Sequence, residues 1–67
     1  MAVARVTEIS STSPKSFEDA IQQGIARSTK TLRNVRSAWV KEQRVDVRNN
    51  QIAEYQVNLM VTFVLDD

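Results

Sequence analysis

Apolar and polar residues alternate strictly along the C-terminal stretch of the chain. Tyr55, Val57, Leu59, Val61, Phe63 and Leu65 interleave with Gln56, Asn58, Met60, Thr62 and Val64. A period of two sends alternate side chains to opposite faces of a strand, so the odd positions predict a core-facing row. From Ser37 to Arg48 the period is again two, but Ala38 and Val40 share one parity and Val45 and Val47 the other. One strand reconciles them through a bulge or strong bend near Gln43-Arg44. Asn49-Asn50 between these strands supplies a hairpin turn, because Asn tolerates the left-handed conformation such turns need.

Further upstream the spacing changes to three and four. Phe17, Ala20, Ile21, Gly24, Ile25, Ser28 and Leu32 form a narrow apolar stripe with small residues at its centre, the mark of a helix packed on one side. Gly24 in mid-helix costs about 1 kcal/mol relative to Ala. Either a sheet or helix approaches closely there, or the position is a tolerated surface glycine. Ser13 is placed to cap the helix with Pro14 in its first turn. Glu18 and Asp19 near the start, and Lys30 and Arg33 near the end, complement the helix dipole. Before the helix, Val3 to Ile9 reads as a short edge strand followed by a hydroxyl-rich connection.

The order is therefore strand, helix, strand, strand. The last two strands far exceed the common length of about 5 to 6 residues, and a helix of roughly 20 residues cannot cover both faces of so long a sheet. The uncovered face carries Trp39, Gln56, Asn58, Met60 and Thr62. A surface that is part apolar and part amide suits a subunit interface or a lined cavity.

Composition sharpens this reading. A domain of 67 residues and 7.6 kDa buries only about 60% of its unfolded surface. Small domains compensate with disulfides, a structural metal or oligomerisation. The chain has no Cys and no His, which leaves oligomerisation. The same absences remove the commonest general base and the best nucleophile, and no triad, paired-acid or glycine-loop constellation replaces them, so an enzyme is not expected. Nine basic and eight acidic residues give a net charge of +1, without the basic excess a nucleic-acid partner calls for. No apolar run is long enough to span a bilayer, and Met1-Ala2-Val3-Ala4-Arg5 does not open a signal peptide. The expectation is one soluble, cytoplasmic domain over residues 1–67.

Three stretches resemble the dodecin family. They are Arg5-Val6-Thr7-Glu8-Ile9 leading to Thr12-Ser13-Pro14-Lys15-Ser16-Phe17-Glu18, then Ala26-Arg27 to Thr31-Leu32-Arg33-Asn34-Val35, and Glu54-Tyr55-Gln56-Val57. The resemblance spans essentially the whole chain. It implies an α+β fold, β-α-β-β, in which a three-stranded antiparallel sheet wraps around one helix. It further implies a hollow homododecamer that binds and stores flavin (FMN, FAD or riboflavin) at subunit interfaces without turning it over.

The ligand residues carry over in part. Gln56 matches the Gln that hydrogen-bonds the flavin's polar edge, and Arg44 matches a basic residue that contacts phosphate-bearing ligands in some members. Ser37 falls where flavin-binding members have the stacking Trp. Trp39 stands two positions later, on the same face of a regular strand and displaced by about 6 to 7 Å. It is either a displaced stacking partner or an interface anchor. For Arg44 the simpler role is solvation or an ion pair with Glu42 or Asp46. The C-terminal Thr62-Phe63-Val64-Leu65 lacks the Arg of the usual Gly-Phe-Arg-Leu ending. The stretch Val35 to Gln43 looks more like a subgroup without the flavin Trp, of which one type binds calcium. Glu8, Glu42, Asp46, Glu54, Asp66 and Asp67 supply oxygen ligands for such a cation, although no spaced acidic motif groups them. The alternative to a flavin store is thus a flavin-free shell with a structural or calcium-binding role.

Overall fold

A computed structural model describes residues 2–65. Four elements follow in the order read from the sequence: β1 (Ala4–Ser13), α1 (Phe17–Thr31), β2 (Val35–Arg48) and β3 (Gln51–Val64). The strands form one antiparallel sheet in the order β1-β3-β2. The most regularly alternating strand lies in the centre, where both of its backbone edges are paired and its odd face is most completely covered. Val57, Leu59 and Val61 are almost wholly buried there. They pack with Ala20 and, around them, with Ile9, Phe17, Ile21, Ile25, Leu32, Val35 and Ala38. Leu65, expected to continue the core row, lies beyond the end of β3 and is exposed.

The helix rests on this row through its small residues. Ala20, Gly24 and Ser28, spaced by four, are its buried positions. The Ser28 hydroxyl donates to the Gly24 carbonyl at 2.8 Å, so burying it leaves no unmet donor. Of the two explanations for Gly24, close approach is the one observed. A Cβ at this position would lie 3.1 Å from Leu59 Cδ1 and 3.2 Å from Ser11 Cβ.

Several boundaries differ from expectation. β1 runs on to Ser13, because Ser10, Ser11, Thr12 and Ser13 all join the ladder with β3. Ser13 pairs with Tyr55, so its backbone is already committed and it does not cap the helix. The cap is Ser16, whose Oγ accepts from the Asp19 backbone N–H at 3.0 Å. Ser13 instead accepts from the Lys15 N–H and donates to Asp19 Oδ2 at 2.6 Å, which ties the end of β1 to the first turn of α1. Pro14 lies in the bend between them, and the helix is 15 residues long, shorter than expected, with Arg33 past its end. The expected bulge exists but sits at Lys41, between the pairs Val40↔Leu59 and Glu42↔Asn58, and not at Gln43-Arg44. Two further register shifts occur, between Val35 and Ser37 and between Asp46 and Val47.

Asn49 and Asn50 close the hairpin with φ of 53° and 64°, as a tight turn matched to strand twist requires. Asn34 also has a positive φ, 62°, where the chain leaves the helix for β2. The molecule is elongated, 51 × 19 × 13 Å. A helix of this length spans about 22 Å, whereas each hairpin strand spans about 46 Å. The hairpin therefore overhangs the helix, and no element of the described residues lies against the other face of the sheet.

Candidate functional site

The uncovered face is built by register. Residues opposite one another across the sheet share a face, so the pairings define successive rows: Val6, Thr62 and Ser37; then Glu8, Met60 and Trp39; then Ser10, Asn58 and Glu42; then Thr12, Gln56 and Arg44. All four ligand candidates from the sequence, Ser37, Trp39, Arg44 and Gln56, stand on this face. The bulge at Lys41 makes this so. Without the extra residue, Trp39 and Arg44 would have opposite parity and point to opposite sides of the sheet.

The rows also set distances. Ser37 and Trp39 flank the Thr62–Met60 segment of β3, whereas Arg44 is directly opposite Gln56. From the Trp39 row to the Gln56 row is four residues along β3, about 13 Å. The Glu42–Asn58 row lies between them. Gln56 and Arg44 thus form one cluster, and Trp39 and Ser37 a separate one nearer the C-terminal end of β3.

The Gln56 cluster is bound together by hydrogen bonds. Gln56 Nε2 donates to Ser10 Oγ at 2.8 Å. Glu42 Oε1 accepts from Asn58 Nδ2 at 2.8 Å and from Arg44 at 3.2 Å. These contacts set the amide orientations: the Gln56 carbonyl and the remaining Arg44 N–H groups stay available, while Asn58 Oδ1 is covered and lacks a partner among the described residues. An acceptor covered in this way costs about 1 to 3 kcal/mol until a donor reaches it. Arg44 is ion-paired with Glu42, and that pair is solvent-exposed and worth little in stability.

Trp39 is half exposed. It rims a groove of about 470 Å³ between α1 and the free edge of β2, lined also by Ile21, Ile25, Val35 and Ser37. Its ring therefore offers an apolar surface at the margin of the uncovered face. Ser10 was missed from sequence because it was read as part of a connection. Continuing the parity of Thr7, Ile9, Ser11 and Ser13 would have placed it on the outer face.

The carboxylates named as cation ligands do not gather. Glu8 pairs with Lys41 at 3.2 Å, Glu42 with Arg44, and Glu54 with Arg48 at 3.7 Å. Among the described residues no group of three or more acidic side chains is placed to hold a metal, and Asp66 and Asp67 lie outside those residues. No helix of the described residues is long and apolar enough to cross a membrane.

Comparison with known proteins agrees along the whole chain. The dodecin family profile matches residues 3–66. A dodecin of Thermus thermophilus is 40% identical over 65 residues, covering 97% of this chain and 94% of that protein. The structure of the dodecin from Streptomyces davaonensis superimposes with a TM-score of 0.93 at 41% identity, covering 98% of this chain and 97% of that one. A calcium dodecin of Mycobacterium tuberculosis, described as calcium chelating and as having a calcium-binding site, gives a TM-score of 0.83 at 32% identity over 97% of this chain and 93% of that one. The β-α-β-β topology is common to these structures, and the chain belongs to the dodecin family, a family of small binding proteins.

Proposed function

We propose that residues 1–67 form one protomer module of a closed homododecamer that binds and sequesters a small planar ligand of the flavin class on the uncovered sheet face, without catalysis. The observation that carries this reading is the face itself: a full side of a three-stranded sheet left without a covering element, with Gln56 and Arg44 adjacent and Trp39 half exposed on the same side. A lone protomer would leave it open to water. Closure into a shell covers such faces and turns them toward shared interfaces or an interior.

The fit to a flavin is partial within one chain. The Gln56 amide suits the polar edge of an isoalloxazine, and Arg44 suits a phosphate-bearing tail. Ser37 offers nothing to stack on, and Trp39 is about 13 Å along the sheet from Gln56. Stacking on Trp39 therefore requires a ligand laid along the strands or a ring supplied by a neighbouring copy. The second reading, a flavin-free shell that takes up calcium, is favoured by the similarity to the Mycobacterium tuberculosis protein. Here it would draw on carboxylates contributed by more than one copy, because those of one chain are spread apart and paired.

Native mass spectrometry of the purified protein, with and without added riboflavin, FMN or calcium, tests both. A dodecamer mass that gains flavin, with quenching of flavin emission, supports the first reading. A dodecamer that gains only calcium supports the second. A monomer at micromolar concentration overturns both.

A further inference from the structure

Taken alone, Arg44 is the group on the uncovered face that suits a phosphate, but its neighbours decide what can approach it. Arg44 pairs with Gln56 across the ladder, and the next pair toward the turn, Asp46 with Glu54, follows without a register shift. Both pairs therefore present Arg44 and Asp46 to the same side. Directly opposed carboxylates are unfavourable on their own. Arg48 relieves one of them, reaching Glu54 at 3.7 Å, and Asp46 has no ion pair among the described residues.

On the other side of Arg44 stands Glu42. Its Oε1 accepts from Asn58 Nδ2 at 2.8 Å and from Arg44 Nη2 at 3.2 Å. Asn58, on the central strand, thus holds this carboxylate beside the guanidinium. Around Arg44 the three carboxylates of Glu42, Asp46 and Glu54 stand against two cations, Arg44 and Arg48. Thr12, the β1 residue opposite Gln56, carries no charge, and Lys15 lies past the end of β1, outside the ladder. A phosphate on Arg44 would therefore sit between Glu42 and Asp46, each two residues along the strand and about 7 Å away. An uncharged polyol meets no such repulsion, and its hydroxyl groups find carboxylate acceptors.

We infer that Glu42 and Asp46 are specificity-determining residues of this face: they make it take a flavin whose side chain is an uncharged polyol and discriminate against phosphorylated flavins, although Arg44 is present. This selectivity rests on the flavin reading above and narrows it to one chemical class. Repulsion between the carboxylates and a phosphate is screened by water and salt on an open protomer. Enclosing the face within an assembly lowers that screening and strengthens the discrimination.

Riboflavin and FMN share one ring system and differ by a terminal phosphate, so equilibrium dialysis of the assembled natural chain against each reads the selectivity directly. Riboflavin should bind about tenfold more tightly than FMN at low ionic strength, and the ratio should shrink in concentrated salt. Two variants isolate the charges. Asp46→Asn removes one carboxylate and with it the like-charge opposition to Glu54, which puts the fold at no risk. Glu42→Gln keeps an acceptor oxygen for Asn58 and Arg44 and removes the charge. Each should bring the ratio toward one by tightening FMN, and the double variant should bind FMN at least as tightly as riboflavin. Native mass spectrometry checks that the variants assemble. Equal or tighter binding of FMN by the natural chain overturns the selectivity. So does an unchanged ratio in both variants, or a ratio that narrows only because riboflavin weakens. In those outcomes flavin still binds and the flavin reading stands. An assembled protein that takes up neither riboflavin nor FMN overturns the flavin reading, and the selectivity falls with it.

Discussion

At the scale of single residues, the tightest constraint is at Gly24. Replacing it with Ala gains about 1 kcal/mol of helix propensity but pushes a methyl group into Leu59 and Ser11 at 3.1 to 3.2 Å. Overpacking of this kind costs typically about 1 to 3 kcal/mol, and Leu59 is buried at the centre of the sheet with little room to retreat. Gly24→Ala should therefore lower stability by up to about 2 kcal/mol in urea unfolding, and a stabilised variant would show that the helix is free to lift off the sheet. Ser13 and Ser16 illustrate how similar residues separate in role. Ser16→Ala removes the cap and should cost about 1 kcal/mol. Asn58 is the converse case. Its carbonyl oxygen has no donor among the described residues and its amide serves an exposed Glu42, so Asn58→Val should leave stability unchanged or raise it by up to about 1 kcal/mol. Thermal unfolding checks this, and a marked loss would mean that a donor reaches Asn58 in the assembled protein.

At the scale of elements, the bulge and the hairpin turn decide which side chains share a face. Sequence parity required a bulge between Val40 and Val45 and pointed to Gln43-Arg44, which is not where it lies. Pairing with β3 resolved it, since Val40 meets Leu59 and Glu42 meets Asn58 with Lys41 left over. Deleting Lys41 would remove the extra residue and turn one half of β2 over, sending Ala38 outward or Val45 to the uncovered face. The expected outcome is loss of the folded protein by circular dichroism, whereas Lys41→Ala, which keeps the residue count and loses only an exposed ion pair with Glu8, should fold normally. Two consecutive positive-φ residues make the turn equally specific. Asn50→Gly should be tolerated or mildly stabilising, and Asn50→Val should destabilise by about 1 to 2 kcal/mol because a β-branched residue resists the left-handed region.

At the scale of the whole molecule, the chain behaves as half of something. Among the described residues only Ala20, Val57, Leu59 and Val61 form its fully buried apolar core, while Val6, Trp39, Val40, Val47 and Ile52 are substantially exposed. A core this small gives marginal stability at best, so folding and association should be coupled. The midpoint of thermal unfolding should then rise with protein concentration, and calorimetry over a hundredfold range of concentration would reveal it. Trp39→Ala separates the two roles of that side chain. Loss of flavin uptake with assembly intact would identify it as the stacking partner, and weakened assembly would identify it as an interface anchor.

Much of this was legible in the residues. The element order, the core-facing odd row of β3, the small-residue stripe of α1 and the Asn-Asn turn all follow from periodicity and local backbone preference, which act over a few neighbouring positions. The resemblance carried by Thr12 to Glu18 and Glu54 to Val57 named the family. Boundaries did not follow, because Ser10 to Ser13 have no strong local preference and became strand only through pairing with β3. The grouping of the site residues was also a tertiary decision. Trp39 and Arg44 were considered one at a time along the chain, but a bulge at Lys41 and the register with β3 put them on one face and about 13 Å apart. Spacing along a strand specifies parity and distance only while the strand is regular, and where it is interrupted, hydrogen bonding to the neighbouring strand sets both.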